Sequence, residues 1–478
     1  MTGAPVSPAA CDVAVVGGGP AGLTAARRLA AAGLSVTVLD EQPELGGQYY
    51  RRPSAAVIER GGDHRPAGGR LIGAVRDAGA DCRTGTSVWG VADDGRTLLL
   101  SGPAGVATLT ARYLIIATGA YERVIPFPGW ELPGVTTAGF AQHLAAGDGV
   151  PVGERVLLAG SGPFLLPVAC SLLDLGVHVV GIAEAGTPYR LSGRGLLTAA
   201  SFPARLAEFA RYVARLARHR VPLWQDRVVA RADASPAGDH VASVTLAATG
   251  TPATPVASYA VDALCVGIGF RPQSEIARLL GCSLSGDPWS GDLLPVTDPT
   301  GRAGQSDVYL AGEARGIGGA GRAAADGEVV AAAILDREGR PGGDRRAAAR
   351  QRRYARFAGH NARLYPAAAE LTRRLTAALP DDVHVCRCEA VTAGQVRAAA
   401  AVAAAPQHGG ADLGAVRALT RAGMGPCQGR ECQATVAALC GAVAEPAGMA
   451  RMPARPVPVA DIAQLAGTPE ASMPGVTG

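Results

Sequence analysis

The sequence contains no lysine: all 45 of its basic residues are arginine. Schiff-base chemistry through a lysine amine is therefore excluded, and with it pyridoxal-phosphate enzymes and imine-forming aldolases. The Walker A lysine is missing too, so a standard P-loop nucleotidase is excluded. Asparagine is almost absent, with Asn361 alone. The bias reads as GC-rich codon usage, which makes an arginine cluster weak evidence for phosphate binding in this chain. No C-x-x-C pair occurs, so a closely spaced redox disulfide is absent. Histidines are few, at 8, and show no ligand spacing; His384, near a cysteine, is the one to watch.

Other absences bound the class. Residues 1–12 carry neither the basic stretch nor the apolar core of a signal peptide. The longest uncharged apolar stretch, 156–173, contains Gly160, Gly162, Pro163 and Pro167. That fits strand–turn–helix better than a membrane span. Ten cysteines in 478 residues without a leader do not read as a secreted disulfide framework. A net charge of +4 is too small to point to nucleic acid. The expectation is a cytoplasmic chain with no transmembrane segment and no nucleic-acid partner.

What is present suits a multidomain globular protein: 48% hydrophobic and 18% charged residues, with length for about three domains. Residues 12–40 read as strand, tight turn, Ala-rich helix, strand. In Gly17-x-Gly19-x-x-Gly22 the first glycine makes the turn and the second admits a pyrophosphate. The third lets helix and strand pack closely. The helix N-terminus supplies N–H groups and a positive dipole end. Asp40 ends the second strand, where a carboxylate accepts from a ribose hydroxyl. Glu41, then Gly47 and Gln48, follow; Gly119 closes Ala117-Thr118-Gly119, and Gly312-Glu313 precedes a Gly-rich turn into a helix. For Glu313 alone, a helix-capping acid is the alternative reading.

A second unit begins at 155–165. Gly160 and Gly162 stand where expected, but Leu165 takes the third glycine position, where it is expected to push helix from strand and crowd a pyrophosphate. Glu184 lies near the ribose position. Weak nucleotide binding, an adenosine-only site and a lost site all stay open, with loss of NAD(P)H turnover favoured.

Cys386-Arg-Cys388 and Cys427-Gln-Gly-Arg-Glu-Cys432 give four thiolates in two close pairs, as a [2Fe–2S] cluster requires. A four-cysteine zinc and plain buried thiols are the alternatives, and the single-residue spacing leans away from zinc. Thr392 with Gln395 suggests a capping box. The Arg- and Ala-rich segment 345–375 reads as a solvated connecting helix pair, and the Pro-rich tail after Ala444 as an extended or partly disordered arm.

These motifs resemble a known family. Asp40-Glu-Gln-Pro43, Gly46-Gly-Gln48, the run from Ala117 through Trp130 to Val135, Leu158 to Pro163 and Cys265 to Pro272 are similar to the FAD/[2Fe–2S] subunits of heteromeric amino-acid and opine dehydrogenases. That family includes the corresponding subunits of hydrogen cyanide synthase, opine oxidase and the hydroxyproline and proline dehydrogenase complexes. Cys386 to Glu389 and Gly423 to Cys432 resemble the bacterioferritin-associated-ferredoxin type of [2Fe–2S] domain. Leu165 belongs to the family pattern.

The resemblance implies an α/β fold with two dinucleotide-binding (Rossmann-like) domains of the two-domain flavoprotein type, and a small C-terminal [2Fe–2S] domain. The expected boundaries are 1–125 and 289–340 for the FAD-binding domain and 126–288 for the second dinucleotide domain. A connector over 341–380, the cluster domain over 381–445 and a tail over 446–478 follow. FAD would be held by Gly17, Gly19, Gly22, Asp40, Glu41, Gly47, Gln48, Gly119, Gly312 and Glu313, and the cluster by Cys386, Cys388, Cys427 and Cys432. A second nucleotide (ATP or NAD), or FMN at an interface between subunits, stays open.

The implied partners are an amino-acid-oxidase-like flavoprotein, which takes hydride from the substrate, and a small ferredoxin-like [2Fe–2S] chain. This chain would relay electrons, and no catalytic proton-abstracting residue is expected on it. A stand-alone NAD(P)H-dependent reductase and a non-catalytic nucleotide-binding scaffold are the competing readings.

Overall fold

The computed structural model describes residues 9–59, 66–92, 96–188, 202–304, 306–343, 345–405, 410–442 and 452–466. The first sheet is built from β1 (Ala9–Val16), β2 (Val36–Leu39), β3 (Asp81–Arg83), β4 (Ser87–Ala92), β5 (Thr97–Gly102) and β6 (Gly105–Ile116). Their order is β3-β2-β1-β6-β5-β4. Strands β3, β2, β1 and β6 run parallel, while β4 to β6 form an antiparallel meander. The parallel part is buried on both faces, so β1 and β2 read as nearly continuous apolar runs.

The chain then leaves through β7 (Ala120–Glu122) to a second sheet. This comprises β8 (Val135–Thr137), β9 (Arg155–Gly160), β10 (His178–Glu184), β11 (Leu223–Gln225) and, after an excursion, β15 (Ala263–Gly267), in the order β11-β10-β9-β15-β8. The excursion is an antiparallel sheet of β12 (Arg227–Ala234), β13 (Val241–Ala248) and β14 (Thr251–Ala260). Strand β16 (Phe270–Pro272) returns antiparallel to β7, so both crossings between the domains form one two-stranded hinge.

A hairpin of β17 (Leu284–Gly286) and β18 (Leu293–Pro295) follows, lying on both sides of the expected boundary at 288. Strand β19 (Val308–Leu310) then rejoins the first sheet beside β6. Helices α1 (Pro20–Ala31), α2 (Leu165–Asp174), α3 (Pro203–Arg218) and α4 (Ala320–Arg337) complete the two units. Among the described residues no helix is long and apolar enough to cross a membrane.

The segment after 341 forms a helix pair, α5 (Arg345–Ala362) and α6 (Ala368–Ala377), broken where Pro366 cannot donate an N–H, and α5 is exposed or half-buried apart from the buried Ala347. Helix α5 lies along α4, and Gln351 donates to the buried Asp326 at 2.8 Å. One expectation is corrected. The tail is not a free arm over 452–466: Ala454 is buried among Val88, Leu98 and Leu100, and helix Val459–Ala466 packs on β6. The rest of the tail lies outside the described residues.

Candidate functional site

The turn at 17–22 sits where β1 ends. Gly17 donates to Leu39 O at 2.8 Å and Gly18 to Asp40 Oδ2 at 2.7 Å, which leaves the amides at the start of α1 without acceptors in the helix. At Gly22 a β-carbon would stand 1.9 Å from Gly17 O, so only glycine lets helix and strand approach this closely. Asp40 is 7% exposed and also accepts from Gln42 N at 2.8 Å; burial raises its pKa. Its carboxylate therefore fixes the turn as well as facing the cavity.

Nine of the ten residues expected to hold the cofactor line one cavity of about 2690 Å³: Gly17, Gly19, Asp40, Glu41, Gly47, Gln48, Gly119, Gly312 and Glu313. The tenth, Gly22, does not line it and acts through packing. Glu313 accepts from Gly319 N at 3.1 Å, capping the entry to α4 from inside the cavity, and burial raises its pKa. Sequence reasoning missed three further contributors. Tyr354 on α5 closes over the start of α4, and Tyr121 comes from the hinge. Arg455 comes from the tail. No local motif marks Tyr354 or Arg455, and Tyr121 lies in the family-like run from Ala117 to Val135, which assigned it no role.

The second turn differs from the first. Leu165 does not project toward a ligand: it is 1% exposed, and its Cδ2 lies 3.2 Å from where a β-carbon of Gly267 would stand. Gly267 leaves the room that Leu165 fills, so the expected crowding is absorbed in the core. Four amides of the turn are instead directed within the fold. Ser161 N donates to Gly267 O at 2.8 Å and Gly162 N to Glu184 Oε2 at 3.0 Å. Leu165 N and Leu166 N turn back to Gly162 O and Pro163 O, at 3.5 and 3.4 Å. Pro163 and Pro167 have no N–H to offer. Glu184, wholly buried, also accepts from Gly186 N at 2.9 Å, and burial pushes its pKa up to about 7.

The four C-terminal cysteines form two contacting pairs, and the pairing crosses the sequence pairs. Cys386, on a short strand (His384–Cys386), contacts Cys432, and Cys388 contacts Cys427. The hydrogen bond from Cys432 and the N–H groups of Gly423, Glu389 and Cys388 hold the Cys386 thiol down at about 5. Backbone donors directed at sulfur suit an anionic iron–sulfur centre, so the donor set fits the group. Helix α7 (Ala393–Val402) begins with the expected capping box, Thr392 Oγ1 accepting from Gln395 N at 3.4 Å and Gln395 Oε1 from Thr392 N at 2.9 Å. His384 is no ligand candidate: its carbonyl accepts from Trp130 Nε1 at 2.8 Å and its ring faces Glu131.

The cluster loop touches the cavity wall. Arg271 Nη1 donates to Arg430 O at 3.1 Å, and the Arg430 guanidinium lies 5.9 Å from the Tyr121 ring centre. Arg271 and Arg123 share the buried Asp292, at 2.9 and 2.6 Å, bracing the hinge.

Comparison with known proteins fits this geometry. The family described as pyridine nucleotide-disulphide oxidoreductase matches residues 11–327, and the BFD-like [2Fe-2S] binding domain matches residues 384–440. An opine oxidase subunit of Rhizobium meliloti (strain 1021) is 32% identical over 95% of this chain and 98% of its own length. The hydrogen cyanide synthase subunit HcnB of Pseudomonas aeruginosa is 32% identical over 87% of this chain and 90% of its own. The crystal structure of L-proline dehydrogenase from P. horikoshii superposes with a TM-score of 0.63 at 21% identity, covering 96% of this chain and 81% of that one, a likeness of fold.

Proposed function

Because this chain belongs to the pyridine nucleotide-disulphide oxidoreductases, and within them to the family of HcnB and its opine oxidase counterpart, we propose that it is the electron-relaying subunit of a heteromeric amino-acid or opine dehydrogenase. The chain is an oxidoreductase with FAD and [2Fe–2S] as its cofactors. FAD supplies two-electron chemistry and the cluster one-electron transfer. The residues of the chain bind, orient and insulate the two groups.

Gly17, Gly19, Gly22, Asp40, Glu41, Gly47, Gln48, Gly119, Gly312 and Glu313 hold the flavin nucleotide in this reading, and Cys386, Cys388, Cys427 and Cys432 hold the iron. The observation that carries it is the contact between the cluster loop and the wall of the flavin cavity, through Arg430 and Tyr121. The partners are an amino-acid-oxidase-like flavoprotein and a small ferredoxin-like chain. The cavity far exceeds a drug-sized pocket of ~300–1,000 Å³, which leaves room for a second nucleotide or FMN. A cytoplasmic setting is supported by ten cysteines with no disulfide among them.

Direct reduction by NADH is disfavoured, because the second turn directs four of its amides within the fold. The test is an anaerobic cuvette with the purified full chain. NADH alone should leave the flavin oxidised, whereas amine substrate with the partner flavoprotein should bleach flavin and cluster bands together. Rapid bleaching by NADH alone overturns the reading in favour of a stand-alone reductase. Protein that lacks both flavin and iron–sulfur bands as purified overturns it in favour of a scaffold.

A further inference from the structure

We infer that the C-terminal segment 452–466 is a strap belonging to the flavin site, and that Arg455 is a cofactor-binding residue for the adenosine half of FAD. The inference rests on the reading that FAD occupies the cavity with its adenosine against the end of β2.

The strap is held at both ends. Ala454 N donates to Trp89 O at 2.6 Å, and its side chain is 3% exposed beside β4 and β5. Further on, Asp461 accepts from Ser101 Oγ, so the helix Val459–Ala466 is tied to β5. Between these anchors Arg455 turns into the cavity, with 22% of its side chain exposed. Its Nη1 donates to Tyr121 Oη at 2.7 Å, and its Nη2 pairs with Glu41.

Position, rather than residue type, carries the argument, since arginine is the default base of this chain. Glu41 directly follows Asp40 at the end of β2, where a dinucleotide ribose lies. Two adjacent carboxylates next to a pyrophosphate would repel it. A guanidinium paired with one of them offsets that charge and keeps further donors for a hydroxyl or a phosphate oxygen. The strap also reaches the other redox group. Ala454 O accepts from Arg430, which sits two residues before Cys432 in the cluster loop and whose Nε lies 3.3 Å from Glu275. One short segment therefore contacts both the flavin nucleotide pocket and the cluster loop.

The test uses the full-length chain, stripped of flavin and titrated with FAD, ADP or FMN. ADP keeps the adenosine and both phosphates; FMN lacks the adenosine. Arg455→Gln should weaken FAD and ADP by about tenfold or more and leave FMN unchanged. Arg455→Lys should recover part of the loss, because it restores charge without the planar fork. The visible circular dichroism of the cluster reports that the variant is folded. Should Arg455→Gln lose that signal, Tyr121→Phe carries the test: it removes the hydroxyl that fixes Arg455, and ADP should weaken severalfold.

FAD and ADP affinities within twofold of the parent, in Arg455→Gln or in the Tyr121→Phe substitute, overturn the role of the strap. So does a loss for FMN equal to that for ADP. A parent chain that binds neither FAD nor ADP overturns the reading of the pocket, and the strap with it.

Discussion

The guanidinium of Arg387 lies 4.0 Å above the ring of Trp130 and donates to the carbonyl of the same residue. Arg387 stands between two cluster cysteines; Trp130 lies in the family-like run from Ala117 to Val135, at the start of the second dinucleotide domain. The stack, with Trp130 Nε1 bonded to His384 O, docks the cluster domain onto that unit. Arg387→Ala should lower the stability of the docked domain by about 1–2 kcal/mol. The measurement is thermal loss of the cluster's visible circular dichroism, which should come earlier while iron content at room temperature stays at the parental level; an unchanged melting curve contradicts the docking role.

The cross-pairing of the cysteines makes the four thiols interdependent. Cys386→Ser, Cys388→Ser, Cys427→Ser and Cys432→Ser should each yield protein with flavin bands but little iron or acid-labile sulfide. Cys265→Ala, at a buried thiol in β15 outside the four-cysteine set, should keep both. Iron analysis beside the visible spectrum decides; a full cluster in any of the four serine variants removes that residue from the ligand set.

Close packing at the first turn predicts a flavin phenotype from a single methyl group. Gly22→Ala places a β-carbon 1.9 Å from a backbone oxygen, so α1 must move away from β1. Overpacking of this kind costs about 1–3 kcal/mol and displaces the helix start. The flavin-to-protein ratio should fall well below that of the parent, with cluster content retained. Full flavin occupancy would show that the turn tolerates the shift.

Glu184 gives a pH dependence with a definite sign. Burial raises its pKa from 4.5 to about 7 in the folded chain, so between those values the folded state binds more protons than the unfolded one. Stability is therefore intact below about 4.5, falls as pH rises towards 7, and levels off above it. The span corresponds to something on the order of 3 kcal/mol. Glu184→Gln should remove this slope across that window, whatever its absolute stability. Parallel slopes in parent and variant, from denaturant midpoints across that range, would assign the pH dependence elsewhere.

Much of this protein was legible in its sequence because the signals are local. The first turn, its acid and its closing glycines are set by the dihedral and approach demands of one βαβ unit. The cysteine spacing announces a sulfur-bound centre, and Thr392 with Gln395 announces the start of a helix; each is set by residues a few positions apart. The absence of lysine excluded whole chemistries before any fold was considered. The decisive remainder is long-range. Leu165 looks like an obstruction in sequence, yet Gly267 makes room for it from another strand. The cysteines pair across the two motifs rather than within them, because the loop before Cys432 folds back onto the strand carrying Cys386. Arg455, one of 45 arginines in the chain and set in a Pro-rich tail, meets Glu41 from 414 residues away. Spacing along a chain fixes what neighbours in sequence can do, whereas packing alone decides which distant side chains share a cavity.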